Sequence, residues 1–250
     1  MEFQFGETSV AVNALDRAGL ERILAERFAA GEGAALATIN LDHIVKLRQD
    51  KAFQKAYAAQ DIVVADGWPI VWLSKIARRP VEKIPGSEIV LPLSVLAARN
   101  DVHAALIGSH AQALQDAARV LEREAPGLQV AYQNAPPMGF DANSDLADEL
   151  LKGVSDSGAR LCFLALGAPR QELLAMRGRV LAPDVVFASI GAGLDFLGGH
   201  QKRAPVWVQT IGMEWLWRAL GSPLRLGPRY LKCLAVLPGL VWEARRQRRH

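Results

Sequence analysis

The chain reads as an α/β protein: a mostly parallel sheet or sheets with Rossmann-like halves flanked by helices, plus a helical appendage at the C-terminus. Three observations predict this. Short apolar runs of strand length alternate with stretches of helical periodicity, and each run is followed by glycine or polar residues. From about Gln201 the strand pattern stops and the chain turns basic and tryptophan-rich. Strands covered on both faces read as continuous apolar runs, as expected of a parallel sheet under two helical layers.

In chain order, Phe3–Phe5 and Val10–Val12 suggest a hairpin, after which Asn13 is placed to cap a helix with Leu20, Ile23, Leu24, Arg27 and Phe28 at helical spacing. Strands are then expected at Ala34–Ile39, Ile62–Ala65, Val102–Gly108, Leu128–Tyr132, Leu161–Leu166 and Val185–Ile190. Helical patterns fall between them, one of them with Ser109 as N-cap and Leu114, Ala117, Ala118 and Leu121 on one face. Beyond the strands, helices are expected with boundaries near Ala204-Pro205, Ser222-Pro223 and Gly227-Pro228, because Pro228 has no N–H to bond residue 224. The domain division is therefore residues 1–203 as body and 204–250 as basic appendage.

Composition excludes several classes. Half of the 250 residues are hydrophobic and 22% are charged, ordinary for a soluble protein with an ample core. No run reaches the roughly 18 to 20 apolar residues of a spanning helix, and the start carries no secretion signal. The two cysteines, Cys162 and Cys233, match neither a disulfide framework nor metal-ligand spacing, which suits a reducing cytoplasm. The net charge is only +3, yet residues 225–250 hold seven Lys/Arg against the single Glu243. Together with the apolar stretch from Tyr230 to Trp242, this points to an anionic membrane surface as partner; a docked helix with a solvated tail is the alternative. Nucleic acid is not expected as a partner.

In parallel sheets ligands bind beyond the carboxyl ends of the strands. Those ends carry Thr38 and Asn40, then Asp66-Gly67, Gly108-Ser109, "LGAPRQE" (166–172) and "GAGLDFLGG" (191–199). Asp66, leaving an apolar strand and flanked by Trp68 and Val64, is a candidate general base or simply a turn residue. Gly67 would let a substrate approach the backbone. Asn40 is a candidate N-cap as well as a sugar or phosphate contact. Arg170, Gln171 and Glu172 stand at a helix start, where N–H groups and the positive dipole end favour phosphate. Gly191 and Gly193 would allow a diphosphate or ribose close to the backbone, with Asp195 near its hydroxyls. No DxD pair and no histidine spacing supplies a metal site, no Walker lysine follows the glycines, and no cofactor is expected.

Six motifs stand in order: "TINLDHIVKLRQD", "ADGWPIVW", "KIPGSEI", "ALGAPRQE", "GAGLDFLGG" and "KRAPVWVQTIGMEWLWR". In these the chain resembles the bacterial WecG/TagA/CpsF glycosyltransferases, glycosyltransferase family 26, over about residues 8 to 232. The resemblance implies an inverting, metal-independent transfer of a hexose or N-acetylhexosamine from a UDP-sugar to a polyprenyl-diphosphate-linked saccharide, for cell-surface polysaccharide. The location implied is cytoplasmic, peripheral on the inner face of the cytoplasmic membrane. Asp66 matches the base; Thr38, Asn40 and Gln171 match substrate-pocket positions, and Lys83, Gly86 and Ser87 lie in a further motif of that pocket. Arg203, Arg218, Arg225, Arg229 and Lys232 map to the region that meets the lipid diphosphate. Two departures stand out: Lys83-Ile-Pro-Gly86-Ser87-Glu88 where Arg-Val-x-Gly-Ser-Asp is usual, and Ser222-Pro223-Leu224-Arg225 where Glu-Pro-Arg-Arg is common. Lysine offers a point charge where arginine offers a fork. The rival readings are a non-enzymatic membrane-surface binding module and a nicotinamide-dependent oxidoreductase, the latter lacking a glycine fingerprint after the first strand. Donor sugar, acceptor and oligomeric state stay open.

Overall fold

Every residue of β3 (Ala34–Ile39) is buried, because neighbouring strands flank it on both sides and helices cover both its faces. The structure is a computed structural model that describes residues 1–201, 204, 205, 208, 217 and 223–249, with the side chains of 223–226 and 249 outside that description. Beside β3 lie β4 (Ile62–Ala65), β5 (His103–Gly108), β6 (Val130–Asn134), β7 (Ala159–Ala165) and β8 (Val186–Ser189), in the order β4-β3-β8-β7-β5-β6. All five pairings are parallel. β1 (Glu2–Phe5) and β2 (Thr8–Ala11) form the expected antiparallel hairpin. Observed strand ends differ from the expected ones by no more than two residues.

The period-two alternation of the strands sorts their side chains into two cores. Ala34, Leu36, Ile62, Val64, Leu106 and Phe163 face α1 (Arg17–Ala30), α5 (Gly86–Arg99), α6 (Ala111–Glu124) and the short α9 (Gly193–Leu197). Ala35, Ala37, Ile39, Val63, Ala105 and Phe187 face the other way. That layer holds α2 (Leu41–Leu47), α3 (Lys51–Ala58), α4 (Trp68–Ile76), α7 (Asp145–Asp156) and α8 (Arg170–Leu181). Fully buried side chains such as Leu24, Leu36, Phe163 and Phe187 contribute about 1.5–3 kcal/mol each.

Three local expectations are corrected. The first helix starts after Asp16, whose carboxylate accepts from Gly19 N; Asn13 instead pins the chain to β4, accepting from Val63 N at 2.7 Å and donating to Asp61 O at 2.8 Å. His110, not Ser109, caps α6 through its ring nitrogen, because Ser109 has turned to φ 52° to meet Asp195. α10 (Pro223–Arg246) runs through Pro228 and Pro238, so no break falls at Gly227-Pro228 and Arg225 lies in a helix. Pro228 sits early in this helix, where the missing N–H removes one bond. Further along, Leu240 and Ala244 bury against Ile44, Leu47, Ile70 and Leu73. That packing holds the helix in place. Among the described residues no helix is long and apolar enough to cross a membrane.

Candidate active site at the carboxyl edge of the sheet

Asp66 is carried out of β4 by one more bond of the parallel ladder, its N–H donating to Ile39 O at 2.8 Å. Gly67 then turns the chain at φ 90°, a conformation costly for any residue with a Cβ, and starts α4. The carboxyl is half-buried. Its Oδ2 accepts from Asn40 Nδ2 at 3.0 Å. The other end of the same amide, Oδ1, accepts from His43 N at 3.1 Å and caps α2. Asn40 is thus fixed by the helix it starts, and its free end is aimed at the carboxylate.

The remaining motifs close around this pair. Ile84 N donates to Ala65 O at 2.7 Å, which brings Lys83 and Gly86 next to the end of β4. Lys83 Nζ lies 5.7 Å from the Trp68 ring centroid and 3.8 Å from Glu88. A Cβ on Gly86 would sit 2.9 Å from Ile190 Cα, so the turn after β8 lies directly on the first turn of α5. Gly193, too, leaves only contact distance to Ser87. Gly108, at φ 117°, has no room for a Cβ, which would fall 2.4 Å from Ala165 O. The Ser109 hydroxyl donates to Asp195, tying the loop after β5 to α9, the short helix after β8. Three helices start at this edge with glycine or proline as N-cap: α4 after Gly67, α5 after Pro85, α8 after Pro169. Neither residue type has a side chain that can accept, so no side chain caps these starts, and the positive dipole ends of the three helices point to this edge.

The structure places Gln171 and Glu172 beneath the loops, at 2% and 0% exposure. Gln171 Oε1 accepts from Gly191 N at 3.1 Å, while its Nε2 donates to Glu172 Oε1 at 2.8 Å. Burial pushes the Glu172 carboxyl up to about 7, against the opposing pull of the Gln171 bond and of Lys46. Arg170 is exposed and donates to Leu166 O at 2.7 Å, its own strand end. Thr38 is buried, and its carbonyl accepts the Tyr57 hydroxyl proton at 2.8 Å. That proton being spent, His43 Nδ1, 2.9 Å from Tyr57 Oη, must be the donor. Burial, and then the neighbouring Lys46, lower His43 to about 4, so the ring is neutral.

A further cluster was not anticipated from the sequence. Asp42, on the first turn of α2, meets Arg229 Nε of α10 at 2.7 Å and Lys46 Nζ at 2.9 Å, and Lys46 also donates to Ala168 O at 3.0 Å. The i,i+4 spacing of Asp42 and Lys46 in "NLDHIVK" was the available signal. Lys232 is exposed on α10. Arg203 and Arg218 lie outside the described residues, and so does the side chain of Arg225. Leu231, Leu234 and Trp242 are exposed along α10, with Arg246 4.2 Å over the Trp242 ring. Among the described residues no three His, Cys, Asp or Glu side chains gather as metal ligands. With this geometry in view, comparison with known families matches residues 7–250 to the model described as Glycosyl transferase WecG/TagA/CpsF family.

Proposed function

The chain belongs to the WecG/TagA/CpsF glycosyltransferase family and is a glycosyltransferase of cell-surface polysaccharide synthesis; from that premise we propose an inverting, metal-independent transfer of a hexose or N-acetylhexosamine from a UDP-sugar to a polyprenyl-diphosphate-linked saccharide. Asp66 accepts the proton of the acceptor hydroxyl. The freed oxygen attacks the anomeric carbon from the face opposite UDP, the new C–O bond forms as the bond to the diphosphate breaks, and UDP leaves with that electron pair. Asn40 holds the carboxylate in line for this. The positive dipole ends of α4, α5 and α8 stabilise the charge that develops on the leaving diphosphate, the part a divalent ion plays elsewhere. Gly67, Gly86, Ser87, Gly108, Gly191, Gly193 and Asp195 shape the donor cleft, with Thr38 and Lys83 at its margin.

The observation that carries this reading is the Asn40–Asp66 contact at the meeting point of loops from β3, β4 and β8. Residues 204–250 are the lipid-facing appendage, where Arg218, Arg225, Arg229 and Lys232, with Arg203 at the end of the body, meet the acceptor diphosphate. The exposed Leu231, Leu234 and Trp242 beside Arg245 and Arg246 suit an anionic leaflet, on the cytoplasmic face of the inner membrane.

The test is Asp66→Asn. Turnover should fall by a factor on the order of 100 to 10,000, while UDP affinity stays as it was. Retained turnover refutes the base assignment. A thermal-shift panel of UDP-sugars with and without EDTA reads donor class and metal dependence together; stabilisation abolished by EDTA would overturn the metal-free mechanism.

A further inference from the structure

Glu172 is an acid in the interior, beneath the loops of the cleft. It is fully buried, its Oε2 has no hydrogen-bond partner among the described residues, and its main-chain carbonyl is held by Gln60 at 3.2 Å. A buried carboxyl with one oxygen unsatisfied is destabilising. Its other oxygen accepts from the amide of Gln171 at 2.8 Å.

That contact decides which way the amide faces. A glutamine side chain can present either its oxygen or its NH2 to the Gly191 N–H. The NH2 would set donor against donor and open the turn. Glu172 Oε1 accepts and therefore takes the NH2, which leaves Gln171 Oε1 for Gly191. Gly191, at φ 60°, follows Ile190, the residue whose backbone lies against Gly86 at the start of α5. The chain of contacts runs from a buried acid to the backbone of the turn that meets the α5 N-terminus.

We propose that Glu172 is a positioning residue for the donor, locking the Gln171 amide so that the Gly191 turn and the α5 start form one rigid seat for the nucleoside diphosphate. The proposal rests on the donor-site reading above. Groups from every neighbouring element face the acid: Gln171 on its own helix, Gln60 and Tyr57 near or on α3, and Lys46 from α2. The ionised carboxylate is the stronger acceptor, so the seat tightens as pH rises through about 7, the value to which burial raises this group.

The experiment is calorimetric titration of UDP into wild type, Glu172→Leu, Glu172→Gln, Gln171→Leu and the Leu double variant, each checked for folding by circular dichroism. Glu172→Leu should weaken UDP binding about five- to tenfold, with a smaller effect on kcat at saturating donor. Gln171→Leu should match it, and the double variant should be no worse than either single one. Glu172→Gln, whose amide oxygen can still accept, should bind within about twofold of wild type but lose the tightening between pH 6 and 8. Additive losses in the double variant, or wild-type UDP affinity in a folded Glu172→Leu, overturn the proposal. No UDP binding by wild type would instead overturn the donor reading. If Glu172→Leu does not fold, the pH dependence of Glu172→Gln decides alone: an unchanged dependence on pH refutes the positioning role.

Discussion

Replacing Asn40 with Asp separates the two jobs of that side chain. Aspartate caps a helix as well as asparagine does, so the bond from His43 N and the start of α2 should survive. The donor to Asp66, now 3.0 Å away, is replaced by a second carboxylate. Two carboxylates relaxing to about 4 Å, at an effective dielectric of 20 to 40, repel by about 2–4 kcal/mol, or roughly 1.5 to 3 pH units shared by the pair. The acid limb of kcat/KM against pH should therefore move up by at least about one unit, and above that limb the same repulsion should lower the unfolding free energy by about 2–4 kcal/mol. Asn40→Ala is the contrast: it removes both bonds, should cost about 1 kcal/mol or more in stability, and should move the acid limb less, because no charge is added. A pH–rate profile for Asn40→Asp that overlays wild type would refute the claim that this contact governs the base.

Three further outcomes follow from packing and burial. Leu240→Ala should weaken the docking of α10 by about 2–5 kcal/mol, since Leu240 is only 1% exposed; limited proteolysis should then cut within α10 faster than elsewhere. Gly108→Ala should lose about 2 kcal/mol or more in urea unfolding, from positive φ and from a Cβ 2.4 Å from Ala165 O; an unchanged midpoint would show that the β5 and β7 ends are not held as close as described. Glu172→Gln should change the pH dependence of stability. The native carboxyl is raised from 4.5 to about 7, so the folded state binds its proton more tightly, and stability is lost as pH rises through that window. The variant should gain up to about 3 kcal/mol at pH 8 and nothing near pH 4.5. His43, lowered from 6.5 to about 4, has the opposite sign and weakens the fold as pH falls between those values.

The sheet was legible because "AALATI" and "IVVA" are apolar on both faces, which only a central or well-covered strand tolerates. Asp66 was legible because a carboxylate leaving such a run is conspicuous. Its partner was not: Asn40 stands 26 residues earlier, and only the pairing of β3 with β4 brings the two ends together. The capping rule placed Ser109 one residue too early because it does not see Asp195, 86 residues on. The proline rule failed at Pro228 because it is local, whereas α10 is held by contacts made about three and four turns later. The depth of Gln171 could have been read: Gln171, Leu174, Ala175 and Gly178 fall at i, i+3, i+4 and i+7, one buried face of α8. Polar residues in a first turn were instead taken to face a ligand.

An outermost strand usually advertises unpaired backbone to any passing chain. In β4 the central peptide is already spoken for, since Asn13 N donates to Val63 O and the Asn13 amide oxygen takes Val63 N–H. Sideways growth into fibrils or strand-swapped pairs is thereby discouraged at the rim of the protein. Asp66, the proposed base, can then stand at that rim, where the proposed tethered acceptor need offer only its tip.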